Sequence, residues 1–139
     1  MKNIAYISII SPVYQAEEIL EELVKKITTS LNEITADFEI ILVEDSSDDN
    51  SWNKIVEICS NNPFVKGIKL SRNFGQHNAV SAGLEYANGD VIVLMDCDLQ
   101  DDPKHIKKLI KDYKKGNEIV FTQRIARKHS FFKRLTAKT

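Results

Sequence analysis

The hydrophobic pattern of this chain switches repeatedly between short unbroken runs of Val, Ile and Leu and longer stretches with helical spacing. Runs this short and this apolar fit strands covered on both faces, and the stretches between them fit helices with one apolar side. "AYISIIS" (Ala5–Ser11), "FEIILVE" (Phe38–Glu44), "VKGIKLS" (Val65–Ser71), "DVIVLMD" (Asp90–Asp96) and "EIVFTQR" (Glu118–Arg124) read as strands. Between the first two, Ala16–Ile34 places Ile19, Leu20, Leu23, Ile27 and Leu31 on one helical face. "DDNSWNKIVEICSNN" reads as a helix capped by Asp48 or Asp49, and "GQHNAVSAGLEYANG" as one ended by Gly89 in the left-handed position. "PKHIKKLIKDYKKG" opens on Pro103 and ends at Gly116. The alternation predicts an α/β fold, a mostly parallel sheet flanked by helices, with residues 1–139 as one domain. "SFFKRLTAK" starts a further helix in which the sequence stops, as expected of a piece of a longer protein.

The chain's 139 residues suffice for one core. With 19 basic and 20 acidic residues its formal charge is −1, which gives no electrostatic case for a nucleic-acid partner. The distribution is uneven, because "RIARKHSFFKRLTAKT" (Arg124–Thr139) contains no acid. That segment is either a solvated basic terminus or one that faces phosphate or anionic lipid head groups. Cys59 and Cys97 lack C-x-x-C spacing and read as thiols of a reducing compartment. No run approaches the roughly 18 apolar residues of a membrane helix, so the chain is expected to be soluble.

Ligands of a parallel α/β sheet bind beyond the carboxyl ends of its strands. "SPVYQAEE", "EDSSDD", "SRNFGQHN" and "DCDLQDD" each follow a strand, which puts four polar loops on one rim. Asp96 and Asp98 form a D-x-D pair just past a buried run. In an extended segment alternate residues point the same way, so both carboxylates converge and Gln100 continues the series. Oxygen-only ligands suit Mg²⁺ or Mn²⁺, ions that keep waters and share a ligand's phosphates. The competing reading is an acidic turn that caps the next helix, and Asp101 and Asp102, just before Pro103, fit that better. His77 and His105 are expected to be surface or cap residues, Trp52, Tyr86 and Tyr113 to pack along helices, and Cys97 to pack facing away from the two carboxylates.

Other ligand classes fail on spacing. A calcium loop opening at Asp96 needs Gly sixth and Glu twelfth, where this chain has Asp101 and Lys107. There is no G-x-x-x-x-G-K-[ST] and no G-x-G-x-x-G after a strand. A phospho-receiver domain would want its acids after the first strand and a lysine after the fifth, where the chain has "SPVYQ" and "TQR".

In this order, "IISPVYQAEE", "IILVEDSSDDNS", "IKLSRNFGQHNAVSAGLEYANGD", "VLMDCDLQDDP" and "VFTQRIARKHSFFKRL" resemble the catalytic domain of family 2 glycosyltransferases of the GT-A fold. The likeness spans nearly the whole chain and is strongest to the polyprenyl-phosphate glycosyltransferases, through L-S-R-N-F-G and D-x-D-L-Q-D-x-P. It implies a Rossmann-like nucleotide-diphospho-sugar transferase fold, here truncated. It also implies a metal-dependent transfer of a sugar from a nucleotide-diphosphate donor (UDP- or GDP-sugar) to a lipid-phosphate acceptor.

Residue by residue, the resemblance implies that Pro12, Tyr14 and Glu17 receive the base and ribose, with Asp45 close by, and that Arg72 and Asn73 border the nucleotide. Asp96, Asp98 and Gln100 match the metal and diphosphate site, with Asp98 counted as catalytic. Arg124 matches a catalytic arginine beside the acceptor phosphate or donor pyrophosphate. Glu44 stands where the family has the first Asp of V-D-D, so the base pocket is expected to be reshaped there. Arg127, Lys128, Lys133 and Arg134 with Phe131 and Phe132 suit an acceptor at a membrane surface. The resemblance places the full-length protein on the cytoplasmic face of a membrane, with these residues soluble and inactive alone. Two alternatives stand beside it: a family 2 transferase that extends a surface polysaccharide through a sugar hydroxyl, and a non-enzymatic receiver-type domain.

Overall fold

A computed structural model describes residues 2–34 and 36–122 of the chain. In order along it come β1 (Tyr6–Val13), α1 (Leu20–Leu31), β2 (Asp37–Glu44), α2 (Ser51–Asn61), β3 (Val65–Lys69), α3 (Gln76–Tyr86), β4 (Val91–Leu94), a 3₁₀ turn (Pro103–His105) and α4 (Ile106–Lys114). The strands form one parallel sheet in the order β3-β2-β1-β4.

Strand periodicity sorts the apolar side chains between two faces. Ile7, Ile9, Val13, Ile40, Leu42, Val65, Val91 and Val93 point to one side and are covered by Leu20, Leu23, Ile27 and Leu31 of α1, Ile55 and Ile58 of α2, and Ile106 and Ile110 of α4. Ile10, Ile41 and Val43 point to the other, where Ala79 and Ala82 of α3 lie on them. The helix α3 lies mainly over β1 and β2, and Ile92 and Leu94 on the same face of β4 stay exposed.

Several boundaries differ from the sequence reading for identifiable reasons. β1 runs on through Pro12, whose missing N–H falls on the β4 side, past the last bond of that ladder, Met95 N–H to Ile10 C=O. Glu118–Thr122 is not a strand: a cavity of about 510 Å³ separates it from β4, and Ile119 and Phe121 are exposed. The end of that predicted strand, Gln123 and Arg124, and the helix predicted after it lie outside the described residues. Gly89 does not end α3 in a left-handed turn; an added Cβ there would lie 2.5 Å from the Ser8 backbone nitrogen. Gly116, by contrast, does take a positive φ, 110°, just past α4. Tyr86 is exposed instead of packed; Asn50, not Asp48 or Asp49, sits at the cap position of α2, while Asp49 Oδ1 accepts from Ser51 N–H (3.0 Å).

A buried carboxylate ties the α3–β4 connection to the sheet. Glu39, fully buried in β2, accepts hydrogen bonds from Ser8 Oγ (2.6 Å), the Asn88 N–H (2.8 Å) and the Lys66 ammonium. Burial pushes its pKa up, but the Lys66, Ser8 and Asn88 donors outweigh it and hold the carboxyl below its ordinary value. A depressed folded pKa contributes stability that is complete above the unfolded value and lost as pH falls through the folded one. Glu39→Ala, which orphans a buried hydroxyl and N–H, is therefore expected to cost about 2–4 kcal/mol in urea unfolding at neutral pH. The difference from wild type should shrink as the pH is lowered into the acid range; an equal difference at every pH would show that the carboxylate's charge is not what matters.

Candidate functional site

The carboxyl ends of β1, β2, β3 and β4 open onto one rim, and its loops are held by side chains bonding to backbone. The loop after β2 organises itself first. Glu44, 1% exposed, turns its carboxylate back onto the N–H groups of Ser46 (3.2 Å) and Ser47, with Ser46 in a left-handed conformation (φ 59°). This loop then holds the one after β1. Ser47 Oγ accepts from Gln15 N–H (2.8 Å), Ser51 Oγ from Ala16 N–H (2.9 Å) and Asp49 Oδ2 from Glu17 N–H (3.4 Å). Burial raises the Asp49 pKa, but Ser51 and the Glu17 N–H hold it below the ordinary range. Three successive N–H groups ahead of α1 are thus already used. These three amides therefore do not serve as a phosphate cradle.

Asp45, 5% exposed, fixes the start of α3. Its N–H donates to Val13 C=O (2.9 Å), while Oδ1 accepts from Phe74 N–H (2.8 Å) and Oδ2 from Gly75 N–H (3.0 Å). Gly75 has φ 90°, a region that favours glycine, and Asn73 Oδ1 also accepts from its N–H (3.1 Å). One residue on, Gln76 Nε2 donates to Asp96 Oδ1 (2.8 Å) and joins α3 to the end of β4.

The D-x-D segment is a turn, not an extended strand. Pairing ends at Leu94, Leu99 is left-handed (φ 59°), and Asp98 Oδ1 accepts from Gln100 N–H (3.1 Å). Strand alternation is therefore not what brings Asp96 and Asp98 to one cavity; the turn does it. Cys97, between them, packs against the larger core with the Tyr14 backbone as a hydrogen-bonding partner, and burial pushes its thiol pKa up. Asp102 caps the 3₁₀ turn by accepting from Lys104 N–H (3.0 Å), a bond that lowers its pKa.

These loops enclose a cavity of about 410 Å³ lined by Pro12, Val13, Tyr14, Asp45, Asn73, Gly75, Gln76, Asp96, Cys97 and Asp98. Pro12, Tyr14, Asp45, Asn73, Asp96 and Asp98 were singled out from the sequence; Gly75, Gln76 and the bracing Ser47 were not. Glu17 lines an adjoining cavity that shares Tyr14 and Asp98. Arg72 is exposed, with its guanidinium 4.5 Å from the centre of the Phe74 ring, and does not line the cavity. Nor do Glu44 and Gln100, and Arg124 lies outside the described residues. Among the described residues the lining holds three aspartates and no lysine or arginine, so an anionic ligand bound to these residues needs a cation with it. Among the described residues no three His, Cys, Asp or Glu side chains gather into a metal cage. A cation here would take its remaining ligands from water or the ligand's own oxygens, as Mg²⁺ and Mn²⁺ do.

The sequence model described as glycosyl transferase family 2 matches residues 8–139. Among solved structures, the chain is similar to the mannosyltransferase PcManGT from Pyrobaculum calidifontis in complex with GDP-Man and Mn²⁺, with TM-score 0.66, 18% identity, and 76% of this chain and 31% of that one covered. It is also similar to residues 1–349 of TarS from S. aureus (TM-score 0.60, 21% identity, 88% and 40% covered). A third is mannosyl-3-phosphoglycerate synthase from Rubrobacter xylanophilus (TM-score 0.57, 14% identity, 70% and 32% covered). At these identities the likeness shows the fold, that of GT-A nucleotide-sugar transferases. The chain spans only 31–40% of the length of these three proteins.

Asp45→Ala is expected to cost about 1–3 kcal/mol of stability, because Phe74 N–H loses its acceptor and Gly75 N–H keeps only Asn73 Oδ1. Hydrogen exchange should quicken more at Phe74 and Gly75 than the lost stability alone quickens it at the buried Ile40 and Ile41 in β2. Uniform quickening would deny Asp45 its local role at the start of α3.

Proposed function

The chain belongs to glycosyl transferase family 2, and we propose that its rim is the donor half of a site that moves a sugar from a nucleotide-diphosphate sugar to a polyprenyl-phosphate acceptor. The observation that carries this reading is a cavity with three aspartates and, among the described residues, no basic one, on the rim where this fold binds ligands. Family membership sets aside the receiver-type alternative.

In this reading Pro12, Tyr14, Asp45 and Asn73 form the floor and walls for base and ribose, and Arg72 and Glu17 stand at its mouth. Asp96 and Asp98 hold a divalent cation, with Gln100 on the same turn. The fit rests on the donor set, two carboxylates on one cavity with Asp96 steadied by Gln76. When bound, such an ion neutralises charge on the departing diphosphate. A structure that holds Mn²⁺ with GDP-Man on the same fold supports that choice.

The transfer breaks the bond between the sugar's anomeric carbon and the diphosphate oxygen and forms one from that carbon to an acceptor oxygen. A lipid phosphate is already an anion and needs no general base, which suits a rim whose carboxylates are committed to hydrogen bonds. Arg124 and the basic segment after it are proposed to meet that phosphate. No helix among the described residues is long and apolar enough to cross a membrane.

UDP or GDP at about a hundred times its dissociation constant should stabilise the chain by about 2.7 kcal/mol in thermal unfolding, with Mn²⁺ present and not without it. Asp98→Ala should abolish the shift. A nucleotide shift that is independent of Mn²⁺ and survives Asp98→Ala would sink the reading.

A further inference from the structure

We infer that Ser47 is a positioning residue for nucleoside recognition: it sets Tyr14 as a wall of the donor cavity by holding the backbone of Gln15. The inference rests on the donor-site reading above and adds to it a residue that lies outside the cavity lining.

The argument follows the hydrogen bonds. Gln15 is a non-glycine residue with φ 48°, a conformation that persists only where its surroundings over-determine it. Its N–H donates to Ser47 Oγ at 2.8 Å. The residue before it, Tyr14, stands half-exposed between two cavities and lines both. Ser47 is placed in turn by the buried Glu44 carboxylate, which accepts its N–H. Glu44, Ser47 and Gln15 thus make a relay from the end of β2 to the wall of the cavity. The neighbouring bonds, Ser51 to Ala16 and Asp49 to Glu17, hold the following residues and leave Gln15 to Ser47. Glu44 and Ser47 line neither cavity, whereas Asp96 and Asp98 belong to the loop after β4. Loss of the Ser47 hydroxyl should therefore disturb the nucleoside end of a ligand and spare its diphosphate end.

The test is calorimetric titration of the full chain, in Mn²⁺, with UDP, GDP and inorganic pyrophosphate, on wild type, Ser47→Ala and Ser47→Thr. Ser47→Ala is expected to weaken the better-bound nucleotide about five- to tenfold, the worth of one hydrogen bond, and to leave pyrophosphate unchanged. Ser47→Thr, which keeps a hydroxyl acceptor, should bind like wild type. Unchanged pyrophosphate binding also shows that the alanine variant is folded. Equal weakening of nucleotide and pyrophosphate would reduce Ser47 to a general structural role and overturn the inference. Unchanged nucleotide binding by Ser47→Ala would overturn it while leaving the donor-site reading intact. Wild type that binds pyrophosphate but neither nucleotide would overturn both.

Discussion

The carboxylate of Asp45 is the point on which the rim depends. A parallel sheet delivers every strand to the same edge, but it does nothing to hold the loops that leave that edge. Asp45 sits at the last rung between β1 and β2, where its backbone closes the ladder, and its side chain reaches across to the N–H groups of Phe74 and Gly75. One residue thereby links two strand ends and the start of α3. The same device recurs beside it, with Ser47, Asp49 and Ser51 holding successive N–H groups of the loop after β1. Short polar side chains with oxygen acceptors suit this work, since they bond to nearby backbone at little entropic cost.

That bracing has an electrostatic consequence. Amides spent on serine and aspartate oxygens cannot receive phosphate, and the carboxylates that do the bracing leave the cavity negative. In folds that bind phosphate through a glycine-rich loop, the backbone supplies the positive end of the interaction. Here the side chains of the described lining supply no cation, and their donors are the neutral Tyr14 hydroxyl, Cys97 thiol and Asn73 and Gln76 amides. The fold thus reaches a nucleotide by a different chemistry on the same topological edge, one in which the counter-charge comes with the ligand.

Much of this was legible in the residues. Unbroken runs such as "IILV" and "VIVL" can be buried on both faces only in a sheet with crossover helices, and the four polar loops had to follow. Gln76 escaped notice because a glutamine at a helix start has no signature; only the folded distance to Asp96 reveals it. Ser47 was hidden for the same reason, inside an acidic loop where the aspartates drew attention. The Asp96–Asp98 pair was found by an argument from alternation that the turn at Leu99 replaces. Glu118–Thr122 had strand composition but no ladder with β4, and pairing, unlike periodicity, is a long-range property. Gly89 looked like a helix stop, whereas its reason is the Ser8 backbone 2.5 Å from any Cβ it might carry.

The acidic cavity also shows where stability and function pull apart. Like charges brought to one cavity repel. Each is nevertheless fixed: Asp45 by two N–H groups, Asp96 by the Gln76 amide, Asp98 by the Gln100 N–H. Hydrogen bonds of this kind hold the carboxylates in place and leave their outward oxygens facing the cavity. A cation that enters meets ligands already oriented, and the repulsion it removes adds to its binding. Preorganised charge of this sort contributes to recognition what it withholds from the stability of the empty fold.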